Sequence, residues 1–505
     1  MKKILALVLL LLIVAMTVSP AWAALPGPGW WTSFQIQNVS DGDATIAYTA
    51  YWNTTGSSET YVQDGTIVVA SGAAVIYNPG QTPNYPTGNR IGFDTTDSHL
   101  PAGFMGGVEV SSDAPVRAVV QVGNNPNGSV GVANGRAAAF YQGTQGEDVG
   151  TEILFPSMKH NYYGQTTTFF IQAAGEAAVI NATFKVGATT YPLTGINIPA
   201  GRIYLLDPVA AGVPAGNTSL GSLTVTATSG KIAGTVVETQ HSVSVGTFAL
   251  STKGFAPADA DSTIVAPTNK LDFFGGNTGW QILNTGATTA TVVVDFTVTN
   301  IQPGSPAATA GIEIGDKYQA NITIPAGGTY LFSKGQGNLQ TLTPQGDAPA
   351  MAGGVFLAGI AVSTNNQPLL GTINENNGPN RVLYSAFSAS SATSKVAAPL
   401  VKEKFFNFST GVTVQNVSTV PATVNLTYNC QTGGAAATYN VGPYTIEAGA
   451  AMPFNDMSNA TRWGSVKVAA NSQCAVTIVS TQPIVALIQE AGAADTKNYE
   501  GFNLP

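Results

Sequence analysis

Side chains that could catalyse a reaction are few and scattered in this sequence. The three histidines, His99, His160 and His241, are far apart, and none lies in a recognisable catalytic triad. The sequence has no Gly-x-Ser-x-Gly elbow, His-Glu-x-x-His pair, Gly-x-x-x-x-Gly-Lys loop or Cys-x-x-Cys motif. It therefore predicts a protein that is not an enzyme and needs no cofactor. A hydrolase whose site is assembled from distant loops is the alternative.

Two pairs of aspartates could supply oxygen ligands to a metal ion. Asp41 and Asp43 form one pair, and Asp259 and Asp261 form the other. Calcium takes about six to eight oxygen ligands, and neither pair has the full spacing of a calcium-binding loop. We therefore interpret these aspartates as turn residues in water and expect no metal site, with calcium ligation as the alternative.

Aromatic side chains could stack on sugar rings. Trp30, Trp31 and Trp52 lie close together near the N-terminus, where they could form a glycan-binding face. Further along, aromatic doublets recur at one position of a repeated pattern, which favours packing between domains or beneath a sheet. These doublets are Tyr162-Tyr163, Phe273-Phe274 and Phe405-Phe406.

Cys430 and Cys474 are the two cysteines of the chain. In an oxidising compartment such a pair favours a disulfide, whereas two buried thiols are the alternative. Two cysteines without a nearby histidine cannot complete a zinc shell.

The N-terminus predicts export from the cell. Lys2 and Lys3 precede an apolar run over residues 4–16, and small residues lead up to Ala23 and Ala24. This is the pattern of a secretory signal peptide over residues 1–23, cleaved between Ala23 and Ala24. The run is short for a membrane anchor, and no later run reaches the ~20 apolar residues of a membrane helix. We expect a secreted or cell-surface protein without a transmembrane segment in its mature chain.

The composition excludes electrostatic binding of nucleic acid. Charged residues make up 10% of the chain, with 20 basic and 28 acidic side chains, a net charge of −8. Without Lys2 and Lys3 the difference becomes 18 − 28 = −10. An acidic, charge-poor surface does not attract a phosphate backbone.

One pattern of strands and turns occurs four times along the chain. Each copy has a strand that alternates apolar and polar residues, as expected of a sheet with one buried face. The central apolar residues of these strands are Ile36, Ile171, Ile282 and Val414. In three copies an asparagine closes this strand, where its side chain can hydrogen-bond the turn backbone. These asparagines are Asn38, Asn284 and Asn416.

The recurrence predicts four tandem domains after the signal peptide. Each has about seven or more short strands, the profile of an Ig-like or related β-sandwich. The near-continuous apolar run over residues 483–488 fits a strand buried on both faces. Short linkers favour a semi-rigid rod. The predicted repeats are 24–149, 150–261, 262–394 and 395–505.

These motifs resemble the tandem β-domains of secreted and cell-surface proteins from filamentous bacteria. The resemblance includes the Tyr-Tyr-Gly turn at residues 162–164, the Ile-Pro-Ala-Gly turns at 198–201 and 324–327, and the Pro-Val-x-Ala-Val-Val strand at 115–120. It implies fold and location and carries over no catalytic residue.

The expected function is therefore structural or adhesive. We predict a component of a cell-surface layer, sheath or filament that self-associates or binds other surface proteins, with exposed sheet edges as one means of pairing. A carbohydrate-binding or adhesion module that uses exposed aromatics is the alternative.

Overall fold

The computed structural model describes residues 30–52, 60–62, 67–77, 106–124, 137–240, 249–377, 380–492 and 496–504. The predicted cleavage site at Ala23 and Ala24 lies outside these residues, as do His99 and His241. Strands dominate the described chain, which confirms the all-β prediction. Within these ranges no helix is long and apolar enough to cross a membrane. Below, the strands are grouped by the four predicted repeats.

Repeat 1 folds into two antiparallel sheets. Its strands are β1 (Trp30–Asn38), β2 (Ala44–Trp52), β3 (Thr60–Val62), β4 (Ile67–Val69), β5 (Ala74–Tyr77), β6 (Gly106–Ser112), β7 (Val116–Asn124) and β8 (Ala137–Gln142). The inner sheet has the order β5-β1-β7-β8, and in the outer sheet β2 pairs with β3, β4 and β6. Ile36, Ile46 and Tyr48 pack together between the two sheets.

Repeat 2 has the same arrangement. Its strands are β9 (Glu152–Tyr162), β10 (Gln165–Ala173), β11 (Ala178–Val186), β12 (Thr189–Ile198), β13 (Ile203–Leu206), β14 (Leu220–Ser229), β15 (Ile232–Gln240) and β16 (Ala249–Lys253). The inner sheet is β13-β10-β15-β16 and the outer sheet is β12-β11-β14-β9, with β9 and β10 joined by a hairpin.

Repeat 3 adds short strands and one helical turn to this plan. Its elements are β17 (Thr263–Leu271), β18 (Asn277–Asn284), β19 (Ala290–Ile301), α1 (Pro306–Thr309), β20 (Lys317–Ile324), β21 (Thr329–Phe332), β22 (Thr343–Gln345), β23 (Val355–Ser363), β24 (Leu369–Asn377), β25 (Asn380–Ser385) and β26 (Phe387–Ser388). The inner sheet is β21-β18-β24-β25 and the outer sheet is β22-β20-β19-β23-β17-β26.

In repeat 4 one long strand serves both sheets. The elements are β27 (Thr393–Glu403), β28 (Ser409–Asn416), β29 (Ala422–Thr432), β30 (Ala435–Ile446), β31 (Ala451–Phe454), α2 (Ala460–Trp463), β32 (Ser472–Ala491), β33 (Thr496–Glu500) and β34 (Phe502–Leu504). The first half of β32 pairs with β27 and β29 in the outer sheet, and its second half with β28 and β33 in the inner sheet. Single 3-10 turns elsewhere cover Gly146–Asp148, Pro257–Asp259 and Lys334–Gln336.

The recurring strand and its asparagine act as predicted. The central residues Ile36, Ile171 and Ile282 are 0% exposed, in line with a strand that buries every second side chain. Asn416 is also fully buried, and its amide nitrogen donates to the carbonyls of Val420 at 2.7 Å and Ile446 at 3.0 Å. Equivalent bonds at Asn38 and Asn284 confirm the turn role of the three asparagines.

The four repeats close on themselves instead of forming a rod. The last inner strand of repeat 1, β8, contacts β16 of repeat 2 and β33 of repeat 4, and β25 of repeat 3 contacts the same two strands. Each of these four strands therefore touches two others, and the repeats follow one another around a centre. The prediction of a semi-rigid rod was wrong, because linker length does not reveal which faces of the domains attract each other.

The apolar run at the end of β32 shows how neighbouring repeats pack. Ile484 and Ile488 belong to the core of repeat 4, whereas Val485 and Leu487, on the opposite face, belong to the core of repeat 3. The prediction of a strand buried on both faces is confirmed, and the second face is covered by another repeat.

The other junctions bury apolar side chains in the same way. Val119 and Phe140 of repeat 1 join the core of repeat 4, and Leu383 of repeat 3 joins the core of repeat 2. Ala139 of repeat 1 packs on Val237 of repeat 2. Apolar burial therefore holds all four neighbours together.

Glutamine side chains complete two junctions. Gln35 and Gln281 occupy the same position in the recurring strand. Gln35 donates to the carbonyl of Pro399 at 2.9 Å, and Gln281 donates to the carbonyl of Pro156 at 2.8 Å. Each proline lies in the first strand of another repeat and has no N–H for the sheet ladder. In both cases the glutamine amide donates to this buried carbonyl across the junction.

Prolines interrupt three outer sheet edges. Pro192 lies in β12, Pro344 in β22 and Pro443 in β30, and each of these strands ends its sheet. A proline cannot donate to an added strand, and proteins use it to prevent edge-to-edge pairing. Strand addition at these edges is therefore disfavoured.

Candidate functional site: aromatic hairpin tips and the cleft between repeats 2 and 3

Three hairpins end in an aromatic doublet. Between β9 and β10 the two-residue loop is Tyr163-Gly164. Single bridges, Phe273 to Gly276 and Phe405 to Phe408, extend the other two hairpins, so their two-residue loops are Phe274-Gly275 between β17 and β18, and Phe406-Asn407 between β27 and β28. Both loop residues have positive φ in all three hairpins, as two-residue turns of type I′ require. We call Tyr163, Phe274 and Phe406 the tip aromatics.

The tip aromatics combine an unfavourable backbone with an exposed ring. Their φ angles are 47°, 48° and 49°, in the left-handed region that costs a non-glycine residue about 1–2 kcal/mol. The same side chains are 68%, 62% and 75% exposed for Tyr163, Phe274 and Phe406. Burial therefore does not offset the backbone cost. Strain that recurs at exposed residues makes the tip aromatics a candidate functional site.

The first ring of each doublet packs edge to face against the second ring. The ring centroids are 4.9 Å apart for Tyr162 and Tyr163, and 4.6 Å apart for Phe405 and Phe406. Tyr162 and Phe405 are partly buried. The prediction that the doublets pack inside the molecule is correct for the first ring and wrong for the second. The φ > 0 loop turns the second ring outward.

A buried ion pair lies behind each tip. Lys159 lies 2.9 Å from Glu238, and both side chains are almost fully buried. Lys270 pairs with Glu375 at the equivalent position of repeat 3. The backbone N–H of each lysine also donates to a threonine hydroxyl, that of Thr167 or Thr278. A rigid, polar base therefore supports each hairpin.

In repeat 4 the ion pair becomes a triad. Glu490 lies 2.8 Å from the ammonium of Lys402 and 3.1 Å from that of Lys497. Burial alone would raise the pKa of the Glu490 carboxyl, but the two ammonium groups outweigh burial and lower its pKa below the ordinary value. Glu490 is therefore a buried anion whose charge is held by two cations.

These ion pairs were missed in the sequence, although a signal was present. Each lysine lies three residues before its aromatic doublet, in the pattern Lys-x-x-aromatic-aromatic-Gly/Asn. The three lysines are Lys159, Lys270 and Lys402. In a chain with 10% charged residues, a lysine that recurs at a fixed position is informative.

A cleft opens where the tip of repeat 2 meets repeat 3. It has a volume of about 330 Å³. Tyr162 and Tyr163 form one wall, and the segment 333–336 of repeat 3 forms another. Asn277, Asn374 and Asn376, from the inner sheet of repeat 3, add amide groups to the lining. Tyr162 of repeat 2 and Gln336 of repeat 3 both line the cleft, so its two walls come from different repeats.

The tryptophans of the predicted glycan face lie elsewhere. Trp30 and Trp31 are partly buried neighbours in β1, so their side chains point to opposite faces of the sheet. Trp30 packs on the small cluster that contains Val237. Trp52 ends β2, and its side chain lies outside the described residues. Sugar stacking by these three residues stays a prediction.

The interpretation of the predicted aspartates as turn residues in water is correct for Asp41 and Asp43 and wrong for Asp259 and Asp261, which are partly buried. Asp41 and Asp43 are exposed, and Asp259 accepts a hydrogen bond from the N–H of Ala256 at 2.8 Å. Asp261 accepts from the hydroxyl of Ser388 at 2.8 Å. In the described part of the chain, no three His, Cys, Asp or Glu residues are grouped to hold a metal ion.

The predicted disulfide is confirmed. Cys430 in β29 and Cys474 in β32 face each other across the ladder of the outer sheet, with their Cα atoms 3.9 Å apart. The one histidine in the described chain, His160, is buried and contacts the carbonyl of Val213 through Nδ1 at 2.7 Å. Such a contact orients a histidine within a fold.

Comparisons with known proteins add little to this description. No protein-family model and no curated protein match the chain. A calcium-stabilised adhesin that helps an Antarctic bacterium to reach out and bind ice is 11% identical over 94% of both chains, with a TM-score of 0.11. A tetra-tandem repeat in the extending region of a large adhesion protein is 11% identical over 93% of this chain and 94% of its own, with a TM-score of 0.10.

A third likeness is to trypsin-activated alpha-2-macroglobulin from Escherichia coli. It is 8% identical over 94% of this chain and 40% of the other, with a TM-score of 0.09. TM-scores this low carry no argument about function, and nothing in these likenesses points to filamentous bacteria.

Proposed function

We propose that this chain is a non-catalytic, extracellular structural or adhesive protein that presents its tip aromatics to a partner. The observation that carries the proposal is the recurrence of an exposed ring on a strained backbone in repeats 2, 3 and 4. The partner is a second copy of the chain or another cell-surface protein, and the location is the cell surface or its layer, sheath or filament.

The scaffold suits this role. A charge-poor surface lets proteins approach closely without strong electrostatic repulsion, and the exposed rings supply apolar area at the point of contact. Each ring packs edge to face on the first aromatic of its doublet, so it loses little freedom on binding. Because prolines interrupt the sheet edges, we place the contact at the hairpin tips and not at the edges.

Sedimentation of the secreted chain tests the proposal. The triple variant Tyr163→Asn, Phe274→Asn, Phe406→Asn removes the rings and keeps residues that tolerate a positive φ. We expect self-association, or binding to cells that display the protein, to weaken at least about tenfold, which corresponds to about 1.4 kcal/mol.

A matched control removes exposed apolar side chains outside the hairpins. Val209, Val420 and Val466 are 59%, 47% and 56% exposed, and their replacement by Asn should leave association unchanged. Equal association of the wild type and the tip variant would contradict the proposal. Immunogold electron microscopy of cells would show whether the protein lies in a layer, a filament or the medium.

The second candidate function is carbohydrate binding. It is favoured by the two tyrosines of repeat 2, which lie beside an amide-lined cleft. This arrangement replaces the tryptophan face as the best place for a sugar in the described chain.

A further inference from the structure

We infer that the cleft between repeats 2 and 3 is a binding site for a neutral, hexose-based oligosaccharide. The inference rests on the carbohydrate-binding candidate above and gives it a place and a ligand class. The cleft volume of about 330 Å³ lies within the range of about 300–1,000 Å³ typical of small-molecule sites. Domain interfaces are also a common place for such sites.

The ammonium groups of the cleft are already paired. Lys159 lies 2.9 Å from Glu238, and Lys334 lies 2.6 Å from Asp272. Neither carboxylate is among the residues that line the cleft. An anionic ligand would have to compete with these carboxylates for the lysines, and a cationic ligand would meet the lysines themselves. The charge balance therefore favours a neutral ligand.

The remaining groups match the two kinds of surface on a sugar. The face of an aromatic ring is negative, so it attracts the positively polarised C–H groups of a pyranose ring. Tyr163 is 68% exposed and is fixed edge to face against Tyr162. Asn374, Asn376 and Gln165 line the same space. Gln165 Oε1 accepts from Lys159 at 2.6 Å and Asn374 Nδ2 donates to Glu238 at 3.3 Å, so Gln165 presents its amide N–H groups and Asn374 its carbonyl oxygen to sugar hydroxyls, whereas Asn376 can present both.

The tyrosines distinguish this tip from the other two. Tyr162 and Tyr163 carry hydroxyl groups, whereas the doublets of repeats 3 and 4 contain only phenylalanine. A tyrosine hydroxyl is protonated at neutral pH and can donate, and burial raises the pKa of Tyr162 further above its ordinary value. Repeat 3 therefore provides an internal control with the same backbone and a plain ring at Phe274.

Isothermal titration of the secreted chain tests the site. The probes are cellotetraose, maltotetraose, mannotetraose and chitotetraose. We expect at least one probe to bind with a dissociation constant at or below about 1 mM. Tyr163→Asn should weaken that binding at least about tenfold, and Phe274→Asn should leave it unchanged.

A second variant blocks the cleft without removing a side chain. Gly335 lines the cleft, and a Cβ atom there would have no neighbour closer than Ser333 Oγ at 3.8 Å, so Gly335→Phe adds a bulky side chain at the cleft wall. We expect it to weaken binding at least about tenfold. Gly146, in a similar 3-10 turn of repeat 1, has open space around it, and Gly146→Phe is the matched control.

Two results would overturn the inference. The first is that no probe binds the wild-type chain, and the second is that a probe binds wild type, Tyr163→Asn and Gly335→Phe equally well. Neither result affects the adhesive proposal, which is decided by the sedimentation of the triple tip variant. The two failures are therefore distinguishable.

Discussion

The side-chain amide of Gln142 donates a hydrogen bond of 2.6 Å to the backbone carbonyl of Glu500, although 358 residues separate the two. The carboxylate of Glu500 in turn accepts a hydrogen bond from the N–H of Ser385. One residue of repeat 4 therefore binds repeats 1 and 3 at once. This junction is where the four domains meet.

Small-angle X-ray scattering should detect the closed arrangement. A compact chain of this length has a radius of gyration of about 23 Å. We expect the secreted protein to give a value close to this one, because repeats 1 and 4 are in contact. Four sandwiches in a line would scatter with a radius of gyration roughly twice as large, which would contradict the closed cycle.

Replacement of Gln142 by Ala should weaken the junction. The carbonyl of Glu500 would lose its donor in a buried place, which costs about 1–3 kcal/mol of unfolding free energy. The measurement is urea unfolding. Gln345→Ala is the control, because Gln345 is exposed and its side chain bonds only the nearby carbonyl of Thr343. Equal unfolding free energies of Gln142→Ala and Gln345→Ala would contradict a stabilising role for the hydrogen bond between Gln142 and Glu500.

Glu490→Gln should be strongly destabilising at neutral pH. It leaves the buried ammonium groups of Lys402 and Lys497 without a carboxylate, and loss of one member of a buried ion pair costs about 3–5 kcal/mol. Glu447→Gln, at an exposed position, is the control.

The pH dependence of that difference has a definite sign. Because the pKa of Glu490 is lowered in the folded state, its stabilisation is present above the unfolded pKa of about 4.3 and is lost as the pH falls through the folded pKa. The wild type should therefore lose its advantage over Glu490→Gln in strong acid. An advantage that grows with acidity would refute this account.

Glu500→Gln should have the opposite effect. Burial raises the pKa of the Glu500 carboxyl, against the hydrogen bond from Ser385. The stabilisation from its proton is complete below about pH 4.3 and is lost as the pH rises through the folded pKa. We expect the unfolding free energy of Glu500→Gln to equal that of the wild type near pH 4 and to be larger than that of the wild type at pH 7. A wild type that gains on the variant over this interval would disprove the assignment.

Phe406→Asn should barely change stability. Asn adopts the left-handed backbone at a lower cost than Phe, which regains at most about 1–2 kcal/mol, while loss of the ring pair costs about 0.5–1.5 kcal/mol. Because the two contributions oppose each other, we expect a net change within about 1.5 kcal/mol in chemical unfolding. Phe405→Asn removes the partly buried ring and should cost clearly more. An equal loss of unfolding free energy in both variants would mean that Phe406 stabilises the fold as much as Phe405 does.

Removal of the disulfide should destabilise repeat 4. The cysteines enclose 44 residues, and closure of a loop of this length contributes about 4 kcal/mol. The double variant Cys430→Ala, Cys474→Ala should unfold at lower urea concentration than the oxidised wild type. The reduced wild type should behave like the variant, and insensitivity of the wild type to reductant would contradict the prediction.

The local structure was predictable because it depends on neighbours in sequence. Alternation around Ile36 and Ile282 predicts strands with one buried face, and a recurring Asn predicts a capped turn. Cys430 and Cys474 were predicted to pair from their number and compartment alone. In each case the residue type limits the structure directly.

The contacts between repeats were not predictable in this way. Val485 and Leu487 are ordinary strand residues, and the sequence does not say whether the second face meets the same domain or another. The exposure of Phe274 was also not predicted, because an apolar side chain is ordinarily expected to be buried. The positive φ that turns its ring outward is a property of the hairpin and not of the residue type. The Gly that follows it was the available signal.

Closure around a centre has a consequence for how such a gene can change. A linear array of domains tolerates the gain or loss of a whole domain, since only one new interface between domains has to form. Here Phe140 of repeat 1 and Tyr499 of repeat 4 lie edge to face with ring centroids 6.1 Å apart, so the interface between these two repeats is already filled. Deletion of one of the four repeats would expose two apolar faces. Insertion or deletion of a repeat within the cycle should therefore be tolerated less well than changes in hairpin tips and outer loops.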